Sequence, residues 1–468
     1  MTKKKIYKTP IFILVMVITI LFFSPFILTL ITKTAVNLVD GFQVRVQWTS
    51  ASEVISITPR FQFQFSQDVD PIYISDSFTI DPPIAGRWTW LEGDLAIWQP
   101  EEKIHPGQTI RFGFEPLSDE TSTGHPKIKA VVWHAYVRDP EIAVLKAEGV
   151  GKEIFRMIPD SPSMLFKLSD TNGMVFDFTV SSDGEQILYA QWNEQSGMDL
   201  WLMDRNGENP KMVLNCGENR CSSLHWNPER DEIVFTIEEM ISGNNGIFWD
   251  LPKPFLLNLI TGITQPLLAD PKQFAYDPVW SSKGQWVTIW NGPDRGIEII
   301  HSDSKTPIFT DTSSEDTGCW SPDERYFIYS NVREEGLPIV SIIYQVEILS
   351  GSRDFFTGSE LFDLGYNYYY PACHPSGDGV IAAVQVDPKI PQRELWWIKS
   401  DGSFQKISED LSLMITQYSW SPDGSRISYL RDTLTGLADG SEVILWEASD
   451  SEALITMVDE VYSIRWIP

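Results

Sequence analysis

Phe61-Gln62-Phe63-Gln64-Phe65 alternates apolar and polar residues at every step, so a strand there puts the rings on one face and the amides on the other. Ile72-Tyr73-Ile74, Phe78-Thr79-Ile80, Trp88-Thr89-Trp90, Leu95-Ala96-Ile97-Trp98 and Ile110-Arg111-Phe112-Gly113-Phe114 read as further short strands. Pro82-Pro83, Glu92-Gly93-Asp94 and His105-Pro106-Gly107 interrupt the runs with turn residues. About seven short strands in about a hundred residues predict a β-sandwich over 36–138.

Beyond 141 the pattern becomes a repeat. Its plainest copies are Trp320-Ser321-Pro322-Asp323 and Trp420-Ser421-Pro422-Asp423-Gly424. Val180-Ser181-Ser182-Asp183-Gly184, Trp226-Asn227-Pro228-Glu229, Trp280-Ser281-Ser282-Lys283-Gly284 and Cys373-His374-Pro375-Ser376-Gly377 are degenerate copies, and Trp466-Ile467-Pro468 is a truncated one. These anchors start at 180, 226, 280, 320, 373, 420 and 466, so neighbours lie 40 to 54 residues apart. Pro, Asp and Gly at those positions suit a tight type I turn, and Trp226, Trp280, Trp320, Trp420 and Trp466 are placed to pack between sheets.

After each turn comes an apolar strand, such as Tyr326-Phe327-Ile328-Tyr329 or Ile427-Ser428-Tyr429-Leu430. A third strand ends in a hairpin turn, Asn206-Gly207 or Asp401-Gly402, and a short fourth leads to the next anchor. Four antiparallel strands per repeat of about 40–50 residues make a propeller blade. Ile142-Ala143-Val144-Leu145, Glu153-Ile154-Phe155-Arg156 and Met164-Leu165-Phe166-Lys167-Leu168 read as second, third and fourth strands with no anchor before them. Tyr462-Ser463-Ile464-Arg465-Trp466 reads as a first strand with nothing after it. Pairing them predicts an all-β chain with a seven-bladed β-propeller over 141–468, closed by its N- and C-terminal strands.

The Trp-Ser-Pro-Asp-Gly turn resembles the repeats of TolB-type propellers, bacterial cell-envelope proteins. Seven blades depart from the six of TolB itself, so its particular partner role is not implied. Between about 50 and 136, Phe65-Ser66-Gln67-Asp68, Phe78-Thr79-Ile80-Asp81-Pro82, Gly86-Arg87-Trp88-Thr89-Trp90 and Ile104-His105-Pro106-Gly107 resemble bacterial Ig-like domains. That resemblance implies a spacer or adhesion module and no chemistry.

Lys3, Lys4, Lys5 and Lys8 form a basic tail over 1–10, and an uncharged run over 11–32 follows, long enough for a helix to cross a bilayer core of about 30 Å. A cleaved signal peptide has a shorter apolar core and a small-x-small site, which Thr32-Lys33-Thr34-Ala35 lacks. The expectation is a single-pass transmembrane signal-anchor, N-terminus cytoplasmic and the other domains extracytoplasmic.

The net charge of -28 repels phosphate backbones, so nucleic acid is not an expected partner. Cys216 and Cys221 share a short loop and can close a disulfide in an oxidising compartment, whereas Cys319 and Cys373, each within an anchor, read as small buried fillers in preference to the alternative, a bridge. No Gly-x-Ser-x-Gly elbow, P-loop, His-Glu-x-x-His or Cys-x-x-Cys occurs, and no metal or cofactor is expected. His225, Cys319 and Arg465 each precede an anchor Trp and so approach the propeller axis as channel-ring candidates, although the other repeats offer Thr179, Val279, Ala372 and Ser419 there. Asp183, Asp323, Asp378, Asp401 and Asp423 read as turn residues bonded to their own backbone rather than calcium ligands. Tyr366, Tyr368, Tyr369 and Tyr370 read equally as the rim of a binding face or a core strand. The function expected is non-catalytic binding of a protein, or of a glycan; the alternative is an enzyme or sensor working on a sugar or peptide in the channel.

Overall fold

The computed structural model describes residues 44–47, 53–117 and, within 130–468, all but 244–245, 305–306, 314–316, 334–338, 358–360, 362–363, 409–412, 434–440, 450–452 and 456–457. The chain divides into two compact units, 1–138 and 139–468.

In the first unit, one four-stranded sheet orders Val44–Gln47, Phe61–Phe65, Leu95–Pro100 and Gly86–Glu92 side by side. A second orders Val54–Ile55, Val131–Val137, Thr109–Phe114 and Phe78–Asp81. Phe61, Phe63 and Phe65 are buried while Gln62 and Gln64 stay partly exposed, as strict alternation requires. Phe61 stacks on Phe112 of the other sheet with ring centroids 4.3 Å apart, so the aromatic core lies between the two layers.

Ile72-Tyr73-Ile74 departs from expectation. It belongs to a helix, Pro71–Ser77, instead of a strand. Asp70 caps it by accepting from the Ile72 N–H (2.9 Å), and Pro71 occupies the first turn, where a missing N–H costs nothing. Two terminal signals therefore outweigh a three-residue β-prone run.

The second unit is a succession of four-strand antiparallel groups, here sheets A to G. Their first strands are Val461–Ile467 (A), Val175–Val180 (B), Arg220–Trp226 (C), Tyr276–Trp280 (D), Cys319–Trp320 (E), Asn367–Cys373 (F) and Leu413–Trp420 (G). A single parallel pair, Met198 with Arg220, links B and C. In sheet A the C-terminal strand pairs with Glu141–Glu148, matching Trp466 to Ile142 and Ile464 to Val144. Gly151–Ile158 and Ser161–Lys167 complete that sheet.

First strands of successive sheets touch from A to B, B to C, C to D, E to F, F to G and G back to A. D and E are joined by Trp286 stacking on Trp320 (centroids 6.4 Å) and by Ser282 Oγ donating to the Ser321 carbonyl (3.0 Å). The array returns on itself, and apolar clusters fill the spaces between neighbouring sheets. It is propeller-like.

The anchors work as local staples. In the copies at 181, 321 and 421 the Ser hydroxyl donates to the Asp two residues on, at 2.6, 2.6 and 2.5 Å. The same Asp accepts a backbone N–H of its own turn at Glu185, Arg325 and Ser425. Trp226, Trp280, Trp320, Trp420 and Trp466 are all buried between sheets.

The single-pass cell-membrane localisation is corrected. Among the described residues no helix is long and apolar enough to cross a membrane. Pro71–Ser77 has seven residues, against the roughly 20 that a spanning helix needs. The basic tail and the 11–32 run on which that expectation rested lie outside the described residues.

Candidate functional site

Of the three ring candidates, the fold brings two together. His225 Nδ1 accepts the backbone N–H of Trp280 from the next sheet (3.2 Å). Enclosure by protein, then the positive charge of Arg465, push the His225 imidazole down to about 4, so it is neutral near pH 7. Arg465 donates to the Ile464 carbonyl (2.9 Å) and the Ser463 hydroxyl (3.3 Å), and its guanidinium lies 6.0 Å from the Phe178 ring centroid.

Cys319 is not a free ring position. It forms a disulfide with Cys373, with the Cα atoms 5.6 Å apart, so the reading of both as buried fillers is corrected. Two anchors distant in sequence become neighbours because the first strands of E and F lie side by side. Cys216 and Cys221 form the short-loop disulfide.

A further regularity marks the first strands. The first strands of A, B, C, D, F and G each slip register about three residues before the anchor, at Val461/Ser463, Val175/Asp177, Ser222/His225, Tyr276/Val279, Tyr369/Ala372 and Ile415/Gln417. A bulge bends the strand and releases a residue from the ladder. At three of them, Ser223, Asp277 and Tyr370, the backbone takes a left-handed φ of 54°, 47° and 52°. Pro278 and Pro371, which cannot donate to a ladder, mark two of these bulges in the sequence itself.

The tyrosines divide. Tyr368 is core, its hydroxyl donating to the Leu361 carbonyl (3.1 Å), and Tyr366 packs edge-on against Trp396. Tyr370 is exposed, and Arg393 lies over the rings of Tyr369 (4.0 Å) and Tyr370 (5.3 Å).

At the strand ends of sheets D and E is a cleft of about 920 Å³. D comprises Tyr276–Trp280, Trp286–Asn291, Gly296–His301 and Pro307–Asp311; E comprises Cys319–Trp320, Tyr326–Val332, Ser341–Glu347 and Arg353–Phe355. Phe274, Tyr276 and Trp290 line one part of it, and Phe274 meets Tyr276 edge-on at 6.1 Å. Gly292 leaves them room, since a Cβ there would lie 2.9 Å from the Phe274 ring. Asn331 ties the connection from D into E: its Nδ2 donates to the Asp311 carbonyl (3.0 Å), and its Oδ1 accepts from the Ser313 N–H (3.0 Å).

Charges of both signs line the same cleft: Asp277, Asp311, Arg295 and Arg333. Asp311 lies 3.8 Å from Arg353. Asp277 opens to solvent inside this concave wall, and poor solvation, then the neighbouring Asp177 charge, hold its carboxyl above the usual range. Asp177 is itself fixed by accepting from the N–H groups of Phe178 (2.8 Å) and Leu224 (3.0 Å).

No protein-family model and no curated protein matches the sequence. Among solved structures the chain is similar to TolB from Acinetobacter baumannii, at 11% identity over 84% of this chain and 83% of that one, with a TM-score of 0.41. It is similar to an oligogalacturonate lyase in complex with manganese, at 8% identity over 68% of this chain and 84% of the other, with a TM-score of 0.46. A third likeness is to a prolyl endopeptidase, at 15% identity over 69% of this chain and 49% of that one, with a TM-score of 0.49. These likenesses concern fold alone, and the propeller-like assignment stands on the strand pairing described above.

The cleft residues were not singled out from the sequence, because they are contributed by strand ends and connections of two sheets. The one local signal was Asp277-Pro278, a proline in a strand otherwise fit for pairing.

Proposed function

We propose that the chain is a non-catalytic binding protein: a seven-bladed propeller of the TolB type that takes a segment of a protein partner in the cleft between its fourth and fifth sheets, D and E. The unit over 36–138 is read as an Ig-like spacer. The observation that carries this reading is the cleft itself, whose aromatic walls and oppositely charged groups are the furniture of recognition. Strand ends and connections are where rigid scaffolds place binding residues.

The test is affinity capture with the whole chain and a Trp290→Ala variant that melts at the same temperature. A partner retained by the native chain and lost by the variant supports the reading. Equal retention by both removes the cleft from it.

One observation favours an enzyme instead. A carboxyl held above its usual range in a cleft suits a general acid, and Asp277 meets that description. On that reading a sugar or peptide would be turned over, and Asp277→Asn would abolish turnover.

A further inference from the structure

The charges lining the cleft differ in how they are satisfied. Asp311 has Arg353 beside it, and Arg333 lies over the Phe355 ring at 6.0 Å. The Asp277 carboxyl and the Arg295 guanidinium have no hydrogen bond and no ion pair among the described residues, and they do not pair with each other. Both residues are held in the left-handed region, with φ of 47° and 51°, where non-glycine residues are uncommon. Asp277 is set there by the first-strand bulge of sheet D. Arg295 is set there by the turn between Trp286–Asn291 and Gly296–His301, whose Asn291 Nδ2 donates to Asp294 Oδ2 (3.1 Å) and Glu298 Oε2 (3.2 Å). Unfavourable backbone conformations that fix side chains at a cleft are a pattern of functional sites.

Two opposite charges that line one cavity without pairing with each other are complementary to a ligand that carries both signs. A ligand with one charge would leave the other group facing it uncompensated. Trp290 and Tyr276 add aromatic faces that favour a cation and apolar groups alike. The volume of about 920 Å³ is near the upper end for small-ligand sites, which suits several linked residues better than a single amino acid.

Resting on the binding reading above, we propose that the occupant of the cleft is a short peptide with free ends, its α-ammonium received at Asp277, its α-carboxylate at Arg295 and its side chains against Trp290 and Tyr276.

The test uses the full chain and titration calorimetry with one tripeptide, glycyl-phenylalanyl-glycine, in four forms: free, N-acetylated, C-amidated and doubly capped. Saturable binding of the free form is expected, weakened about tenfold by either cap, the worth of one charge-assisted hydrogen bond. Asp277→Asn is expected to erase the penalty of acetylation while leaving that of amidation. Arg295→Gln is expected to do the reverse. Each variant therefore carries its own control for folding, since it must still discriminate at the other end.

Equal binding of all four forms overturns the two-charge inference. If that equal binding disappears in Trp290→Ala, the binding reading survives without it. Failure of every form to bind at millimolar concentration overturns the peptide inference as well, and leaves the affinity capture to decide the wider reading. Cleavage of the free tripeptide, abolished in Asp277→Asn, overturns the non-catalytic reading.

Discussion

Single residues here carry consequences that their neighbours reverse or amplify. His225 is partly buried and held neutral beside a cation, so its folded-state value of about 4 lies below the 6.5 of an unconstrained imidazole. The unfolded chain thus binds the proton more readily than the folded one. The contribution to stability is present in full above about pH 6.5 and is lost as pH falls towards 4. The residue is partly exposed, so the loss is on the order of 2 kcal/mol rather than the full shift. Urea unfolding at pH 7 and pH 4.5 checks this: the native chain should lose stability over that interval that His225→Gln does not lose. Glu153 illustrates a buried polar group made tolerable by its partners. It accepts from the Ser169 hydroxyl (2.5 Å), the Thr171 N–H (2.7 Å) and the Gly173 N–H (2.8 Å), closing the connection from sheet A to sheet B. Glu153→Ala strands those donors and should cost about 2–4 kcal/mol in the urea midpoint, against a small change for exposed Glu208→Ala.

At the level of elements, what was legible in the sequence was whatever repeats. The Trp-Ser-Pro-Asp turns expose their logic locally, because Ser321, Asp323 and the Arg325 N–H lie within five residues of one another. The helix at Pro71–Ser77 was not legible from hydrophobic pattern, since Ile72-Tyr73-Ile74 alone satisfies a strand equally well and only Asp70-Pro71 tips the balance. The Cys319–Cys373 disulfide was illegible for another reason: 54 residues separate the cysteines, and only the register between sheets E and F places them together. It also explains how sheet E tolerates a first strand of two residues, Cys319–Trp320, where the others have five to eight. With few ladder bonds of its own, that strand is tied covalently to the next. In the chain-entropy account a loop of 54 residues stabilises by about 4 kcal/mol, and the five-residue separation of Cys216 and Cys221 by about half as much. Cys319→Ser with Cys373→Ser should therefore lower the urea midpoint markedly more than Cys216→Ser with Cys221→Ser. A reversed order would mean that sheet E is held by its packing around Trp320 rather than by the tether.

For the whole second unit, the decisive question is whether its sheets act as a line of repeats or as a ring. In a line, each sheet answers only to its neighbours, and losing an end strand frays one repeat. In a ring, the strand that joins the ends is shared by everything. Val461–Ile467 holds that position: it pairs with Glu141–Glu148 and touches the first strands of both G and B. Val461, Ile464 and Trp466 are buried in a cluster that also contains Ile142, Val144, Leu430 and Leu445, so residues from both ends of the unit share one core. Removing 461–468 would expose this cluster and leave the 141–148 strand as an unpaired edge, a surface that promotes association. The expected result is loss of the single cooperative urea transition, with dye-binding apolar surface and higher-order species on size exclusion. A truncated chain that still unfolds in one transition, shifted by only about 1–2 kcal/mol, would be the behaviour of a line. The distinction also bears on the proposed binding site. Its walls belong to two different sheets, and Asp277 and Arg295 are held by D while Asn331 and Arg333 belong to E. D and E also hold each other directly, through Trp286 on Trp320 and Ser282 on Ser321, so opening the ring at sheet A should loosen the proposed site only by what closure adds to those contacts, which the tripeptide titration repeated on the truncated chain would read.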